Sequence, residues 1–223
     1  VKATKSAVLN FPALDWEIAE LLVEADSDLA GDKSSRKSCS GMNIYVTDGV
    51  HKILIDWRSK LQTSTSLSSA EAEVHAISRA IHSAIKHSMT LSGLLERTIK
   101  LTVRTDATAA MGAIRAGYSK KLYHVARSHG IHLSWLSEFF EKEEHQLEKV
   151  ATDLNTADVH TKPLAFDGFS KHRDTMGMVI ERPDEVPSKE ETGASCLLVG
   201  QLEKTTEEEY FVAFAGMLKT GMI

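Results

Sequence analysis

A helical stretch of about thirty residues, Ser68 to Arg97, stands between β-rich runs on both sides, and this restricts the chain to a layered fold. Before it, Ile18–Leu29 reads as a strand. Gly41–Thr47 and His51–Trp57 read as two more, joined through Thr47-Asp-Gly-Val50, where Asp-Gly is a hairpin signal. After it come a strand over Ile99–Thr105, with Ile99, Leu101 and Val103 on one face, and a short helix over Ala107–Ala116 closed by Gly117. A longer helical pattern over Tyr123–Lys142, weakened by Gly130, a short strand over Gln146–Val150 and a final helix around Phe166–Gly177 complete the pattern. Helices falling between strands in this way predict an α/β domain with a mixed five-stranded sheet flanked by helices.

The 223 residues fit one domain of ordinary size with an appendage, and a hydrophobic content of 42% suffices for a packed core. The expected division is a lead segment over 1–17, a domain over 18–178 and a poorly structured acidic tail over 179–223. Residues 1–180 hold 22 basic and 22 acidic side chains; residues 181–223 hold four basic and nine acidic, which accounts for the whole net charge of −5. The domain itself is therefore not repelled by polyanions. No window approaches the roughly eighteen uninterrupted apolar residues of a membrane span, since Leu197–Gly200 is short and Phe211–Leu218 is interrupted by Gly216. Val1 opens the chain without a methionine or a signal-like layout, so an intracellular piece of a longer protein is expected. Cys39 and Cys196 lie far apart and form neither a metal-spacing motif nor a disulfide framework, which fits a reducing compartment.

Four acids stand where strands or helices would point carboxylates at a shared site: Asp26, Glu73, Asp106 and Asp158. Such a like-charged cluster stays ionised in a compact fold only when cations occupy it, so a metal-dependent phosphodiester hydrolase is favoured over a small-molecule binder. Two glutamates open the long helix. Ser68-Ser-Ala-Glu71 matches a capping box, and Glu71 shares a side with His75, Ser78, Arg79 and His82 that reads as a solvated face. Glu73 lines up instead with Ile77, Ala80, Ile81 and Ala84 on the apolar stripe, where a carboxylate costs free energy without a compensating charge. Asp26 and Asp28 alternate onto one face of the first strand. For Asp106 and Asp158 the competing reading is a helix N-cap. His129 and His132 lack the spacing of a zinc protease motif.

The pattern of these segments resembles the ribonuclease H domain of copia-type long-terminal-repeat retrotransposons. That family shows Ser-Asp-Ala-Asp-Trp-Ala-Gly-Asp, echoed by Ala25-Asp-Ser-Asp-Leu-Ala-Gly-Asp32, and then a basic Lys-Ser-Thr-Ser-Gly, matched by Lys37-Ser-Cys-Ser-Gly41. Trp57-Arg-Ser-Lys60, Leu67-Ser-Ser-Ala-Glu-Ala-Glu73, the strand-ending Asp106 and Ala157-Asp-Val-His-Thr-Lys-Pro-Leu164 follow in the family's order. The match spans roughly residues 18–178. Leu29 stands where tryptophan is usual, Val74-His75 replaces a Tyr-Ile-like pair, Ala151 replaces a common proline, and His160 stands where an apolar residue is common; none of these removes a carboxylate.

The resemblance implies a ribonuclease-H-like fold in which Asp26, Glu73, Asp106 and Asp158 bind two divalent ions, Mg²⁺ or else Mn²⁺, about 3.5–4 Å apart, as oxygen-only ligation suits. The implied substrate is the RNA strand of an RNA–DNA hybrid, and the implied partner is the reverse transcriptase domain of a parent Pol polyprotein. The implied setting is cytoplasmic, nuclear or within virus-like particles. Ser38, Arg58, Lys60, Lys120, Lys121 and Arg127 are the candidates for gripping the substrate through phosphates and 2′-hydroxyls. The alternatives are an inactive or domesticated copy that grips nucleic acid without cutting, and a DNA-directed nuclease built on a related fold.

Overall fold

The computed structural model describes residues 7–180. The acidic tail beyond residue 180, with Cys196, lies outside the described residues. The first strand, β1 (Ala7–Leu9), pairs antiparallel with the last, β7 (Met178–Ile180), and so ties the chain ahead of Ile18 to the chain beyond the final helix.

The central sheet has five strands in the order β4-β3-β2-β5-β6. They are β2 (Glu20–Ser27), β3 (Cys39–Thr47), β4 (Lys52–Leu61), β5 (Leu101–Thr105) and β6 (His145–Lys149). β2, β3 and β4 pair antiparallel, whereas β5 lies parallel to both β2 and β6. The sheet is thus mixed, five-stranded and flanked by helices, as the order of strands and helices in the sequence predicts. The β3–β4 hairpin closes as expected at Asp48-Gly49: Gly49 has φ +88°, and the Asp48 carboxylate accepts the N–H groups of Val50 at 2.9 Å and His51 at 2.6 Å.

Helix α1 (Ser69–Leu95) runs unbroken through Gly93. Ser68 caps it, its hydroxyl accepting the Glu71 N–H at 3.2 Å, and it stops where Glu96 turns left-handed at φ 51°. Its apolar stripe, Ile77, Ala80, Ile81 and Ala84, packs with Leu21, Val23 and Ala25 of β2 in the main core. Leu22, on the opposite face of β2, joins a smaller cluster with Tyr45, Leu54 and Met176 next to helix α5 (Phe166–Thr175). Alternation puts Glu24 and Asp26 on that same second face.

Two expected elements differ. The helical pattern over Tyr123–Lys142 is not one helix: α3 (Val125–Ser128) and α4 (Leu133–Phe140) are separated at Gly130, whose φ of +66° ends the first of them. The strand read over Ile18–Leu29 ends at Ser27. Asp28 accepts the Cys39 N–H at 2.5 Å with its carboxylate, so it closes the following loop and does not face the site beside Asp26. Helix α2 (Thr108–Arg115) and two 3-10 turns, Thr152–Leu154 and Thr156–His160, complete the described chain.

Candidate metal centre

The parallel pairing of β2 and β5 brings the first two acids together. Their register places Glu24 opposite Arg104, and two residues further on the same register sets Asp26 beside Asp106, at the strand ends where open sheets carry their sites. Asp106 does not cap α2. Ala107 holds that position, without a side-chain cap. Glu73 enters from the start of α1, and one carboxylate oxygen from each of Asp26, Glu73 and Asp106 lies within 4.8 Å of the others. Asp158 comes from the second 3-10 turn, where Asn155 and not Asp158 is the cap. It is joined to the cluster by Lys162, whose ammonium lies 2.9 Å from Asp158 Oδ2 and 4.0 Å from Asp26 Oδ2. The Thr161 hydroxyl also donates to Asp26.

The electrostatics are those of crowded anions. Burial, then the nearby Asp26 and Asp106, push the Glu73 carboxyl up to about 9. Burial likewise raises Asp158 to about 6, with Asp26 and Asp106 adding to it against the relief from Lys162. Glu73 Oε2 and Asp158 Oδ1 are buried and make no hydrogen bond. Buried oxygens without a donor are expensive, and carboxylates left open in this way are what a hard divalent cation takes. The residues present therefore fit a divalent-cation centre.

A buried polar network holds the Asp158 turn on the sheet. The Glu24 carboxylate accepts the Thr156 N–H at 3.0 Å and its hydroxyl. The same hydroxyl oxygen accepts from Asn43 Nδ2 at 2.8 Å and lies 2.6 Å from the Tyr45 hydroxyl. His160 Nε2 bonds Asn43 Oδ1 at 2.8 Å, so this histidine is engaged in the network. Asn155 Nδ2 donates to the Ala25 carbonyl at 3.1 Å. Gly41, opposite Asp26, lets the turn approach: a Cβ there would stand 2.7 Å from the Ala157 carbonyl oxygen.

Glu71 corrects the sequence reading. Its face is solvated only in part: Arg79 and His82 are exposed, but Glu71, His75 and Ser78 are buried. Beyond its part in the cap, where it accepts the Leu67 N–H at 2.9 Å, its two oxygens meet His129 Nε2 at 2.8 Å and His124 Nε2 at 3.1 Å. Although burial alone would raise its carboxyl, these bonds hold it below the ordinary range. The pair of histidines anchors the α2–α4 segment to the start of α1, and that segment carries the exposed Lys120, Lys121 and Arg127. Arg58 and Lys60 are exposed on β4. Ser38 is a second correction, because it is fully buried and its hydroxyl accepts the Ala30 N–H at 3.1 Å; it shapes its loop and presents nothing to a substrate.

The residues the sequence reading passed over are Glu24, Asn43, Thr156, Thr161, Lys162 and His124. Lys162 and Thr161 were visible inside the Thr161-Lys-Pro-Leu164 motif, and Glu24 by its alternation with Asp26. Nothing local marked Asn43 or His124.

No family model matches the chain. It is 29% identical over 154 residues, 69% of its length, to the retrovirus-related Pol polyprotein from transposon TNT 1-94 of Nicotiana tabacum, of which it spans 11%. It is 40% identical over 67 residues to the secreted RxLR effector protein 161 of Plasmopara viticola, a match covering 30% of this chain and 44% of that protein. Among solved structures, the N-terminal RNase H domain of a Mycobacterium tuberculosis protein, fused to maltose-binding protein, aligns with a TM-score of 0.43 and 14% identity, over 70% of this chain and 98% of that one. The likeness to a retrotransposon Pol polyprotein implied by the motifs is borne out by the first of these. Among the described residues no helix is long and apolar enough to cross a membrane.

Proposed function

We propose that this chain is a ribonuclease H that hydrolyses the RNA strand of RNA–DNA hybrids with two divalent ions, Mg²⁺ or Mn²⁺, held by Asp26, Glu73, Asp106 and Asp158. The observation that carries this reading is the convergence of Asp26, Glu73 and Asp106 from three separate elements within 4.8 Å, with oxygens of Glu73 and Asp158 buried and open.

Bound ions would activate water for in-line attack and steady the leaving oxygen. The chain's own residues do the rest. Asp26 and Asp106 are fixed by strand register, and Glu73 by a capped helix start. Thr161 orients Asp26 through its hydroxyl, and the Glu24–Thr156 contact holds the turn that presents Asp158. Lys162 neutralises part of the anionic cluster through Asp158 and Asp26. Lys120, Lys121 and Arg127 on one side and Arg58 and Lys60 on the other would hold phosphates of the duplex without reading its sequence. In a parent Pol polyprotein the reverse transcriptase domain would be the partner that supplies the hybrid.

A second reading draws on Lys162. Because a lysine already pairs with Asp158 and Asp26, a copy of this fold could bind hybrids with no metal and cut nothing. Cleavage of a labelled hybrid by the wild-type chain and by Asp106→Asn, with and without Mg²⁺, separates the two. Ribonuclease activity should require Mg²⁺ and fall by on the order of 10³-fold in the variant. Normal hybrid binding with no Mg²⁺-dependent cleavage would leave only the binding module. Parallel assays on duplex DNA and single strands test a DNA-directed nuclease.

A further inference from the structure

Glu24 is a buried acid outside the carboxylate cluster. It lies on the same face of β2 as Asp26, one pleat away. Its Oε2 accepts the Thr156 N–H at 3.0 Å and the Thr156 hydroxyl, and its Oε1 lies 4.0 Å from Lys52 Nζ. Lys52 opens β4 and alternates onto the same side as Leu54, in the smaller core cluster. Its ammonium also stands 4.2 Å over the centre of the Tyr45 ring. The Tyr45 hydroxyl in turn lies 2.6 Å from that of Thr156. One cation therefore touches two of the residues that meet Thr156. It does so from far off: Lys52 pairs with Thr47, which faces Glu20, at the opposite end of β2 from Asp26.

Lys52 lines a hollow of about 350 Å³ on the sheet together with two other ion pairs, Lys100–Glu20 at 3.7 Å and Arg104–Glu148 at 3.0 Å. In both of those pairs acid and base are each at least 30% exposed, so solvent screens them and they hold little in place. The Lys52–Glu24 pair differs, with side chains 24% and 3% exposed. His172, buried on α5, meets Glu24 through space, and Lys52 alone forms an ion pair with it among the described residues. A pair withdrawn from water attracts over 4 Å far more strongly than an exposed one, and losing one partner leaves the other buried and unpaired. An unpaired Glu24 anion is one pleat from the cations that gather at Asp26, of which Lys162 is the nearest at 4.0 Å from that aspartate. Drawn toward them, it releases Thr156.

We propose that Lys52 is a positioning residue for Asp158. Its ammonium holds the Glu24 carboxylate and the Tyr45 ring where both engage Thr156, and Thr156 opens the 3-10 turn that presents Asp158. The lysine stands away from the carboxylate cluster and acts on it only through these side chains and the turn. The turn is short and internally bonded, with the Asp158 N–H donating to the Asn155 carbonyl at 3.2 Å, so its first residue and its carboxylate move together. Residues that orient a metal ligand from behind set metal affinity by roughly 10–100-fold. The grip on the turn rests on this geometry alone; that Asp158 holds an ion rests on the function proposed above.

The test compares the full chain with Lys52→Met, which keeps the length and loses the charge, and Lys52→Arg, which keeps the charge. Hydrogen exchange of the Thr156 amide without metal reads the grip of Glu24 on the turn. Lys52→Met should speed it about tenfold relative to the amide of Val103 in the middle of the sheet, and Lys52→Arg should stay within about twofold of wild type. Calorimetric titration with Mg²⁺ should give a Kd about tenfold weaker in Lys52→Met, with the KM for hybrid unchanged. Lys100→Met, which removes a neighbouring cation of the hollow, should alter neither reading. Adding Glu24→Gln to Lys52→Met takes away the unpaired charge but leaves an oxygen for Thr156, so it should recover most of the Mg²⁺ affinity; it also restores a folded chain to measure where Lys52→Met folds poorly. Thr156 exchange that rises no more than that of Val103 overturns the role of Lys52, whether or not the chain cleaves hybrid. Faster Thr156 exchange with an unmoved Mg²⁺ affinity leaves Lys52 a structural residue and overturns its positioning role. A double variant as weak for Mg²⁺ as Lys52→Met overturns the charge argument. A Lys52-dependent Mg²⁺ affinity in a chain that never cleaves supports the positioning role while removing the ribonuclease reading, so the two failures are distinguishable.

Discussion

Replacing Glu73 by glutamine should make the metal-free protein more stable, and by an amount that grows with pH. Crowding by Asp26 and Asp106 on top of burial lifts the Glu73 carboxyl from 4.5 to about 9. Between those values the native chain holds a proton that the unfolded chain has released, so stability is full below pH 4.5 and is lost as pH rises toward 9. Each pH unit across that window costs about 1.36 kcal/mol, so the loss is below about 1 kcal/mol at pH 5 and about 3 kcal/mol at pH 7, with a ceiling near about 6 kcal/mol above pH 9. A glutamine keeps the shape, carries no such proton and can donate its amide hydrogens to the neighbouring carboxylates. Glu73→Gln should therefore gain about 3 kcal/mol at pH 7 without metal, moving the urea midpoint up by about 1 M or more. Mg²⁺ should cancel most of that advantage, since ion at about a hundred times its Kd adds about 2.7 kcal/mol to a chain with an intact centre. Urea unfolding of both chains from pH 5 to pH 9, with and without Mg²⁺, measures all of this, and the difference between them cancels the titration of other groups. A stability difference that stays constant with pH, or a variant less stable than wild type at pH 7 without metal, would show that Glu73 is not held protonated by its neighbours.

Two further perturbations act on the turn that carries Asp158. Gly41→Ala would set a Cβ at 2.7–2.8 Å from the Ala157 carbonyl oxygen, His160 Cβ and Thr161 Cγ2. It should cost about 1–3 kcal/mol in urea unfolding and weaken the stabilisation by Mg²⁺, because relief requires the turn to lift off β3. Thr156→Val removes the one hydroxyl shared by Glu24, Asn43 and Tyr45 and leaves three buried polar groups short of a partner, at a cost of about 2–4 kcal/mol. A Thr156→Val protein with wild-type urea and Mg²⁺ midpoints would show that this network does not hold the turn.

The local chemistry of this protein is legible along the chain. Period-two and period-3.6 patterns placed the strands and the long helix, the Asp48-Gly49 turn fixed the hairpin, and the stripe through Ile77, Ala80, Ile81 and Ala84 separated Glu73 from Glu71, because these signals depend on neighbours within a few residues. The motifs likewise marked all four acids without any knowledge of how distant segments meet. What depends on those meetings emerges with the fold. Parallel pairing of β2 with β5 sets Asp26 beside Asp106 across some eighty residues of chain. Glu71, solvated by its local face, is buried because His124 and His129 arrive from over fifty residues away. Ser38 is lost to solvent because its loop folds over it, and the helix expected through Gly130 breaks where the chain turns back toward Glu71.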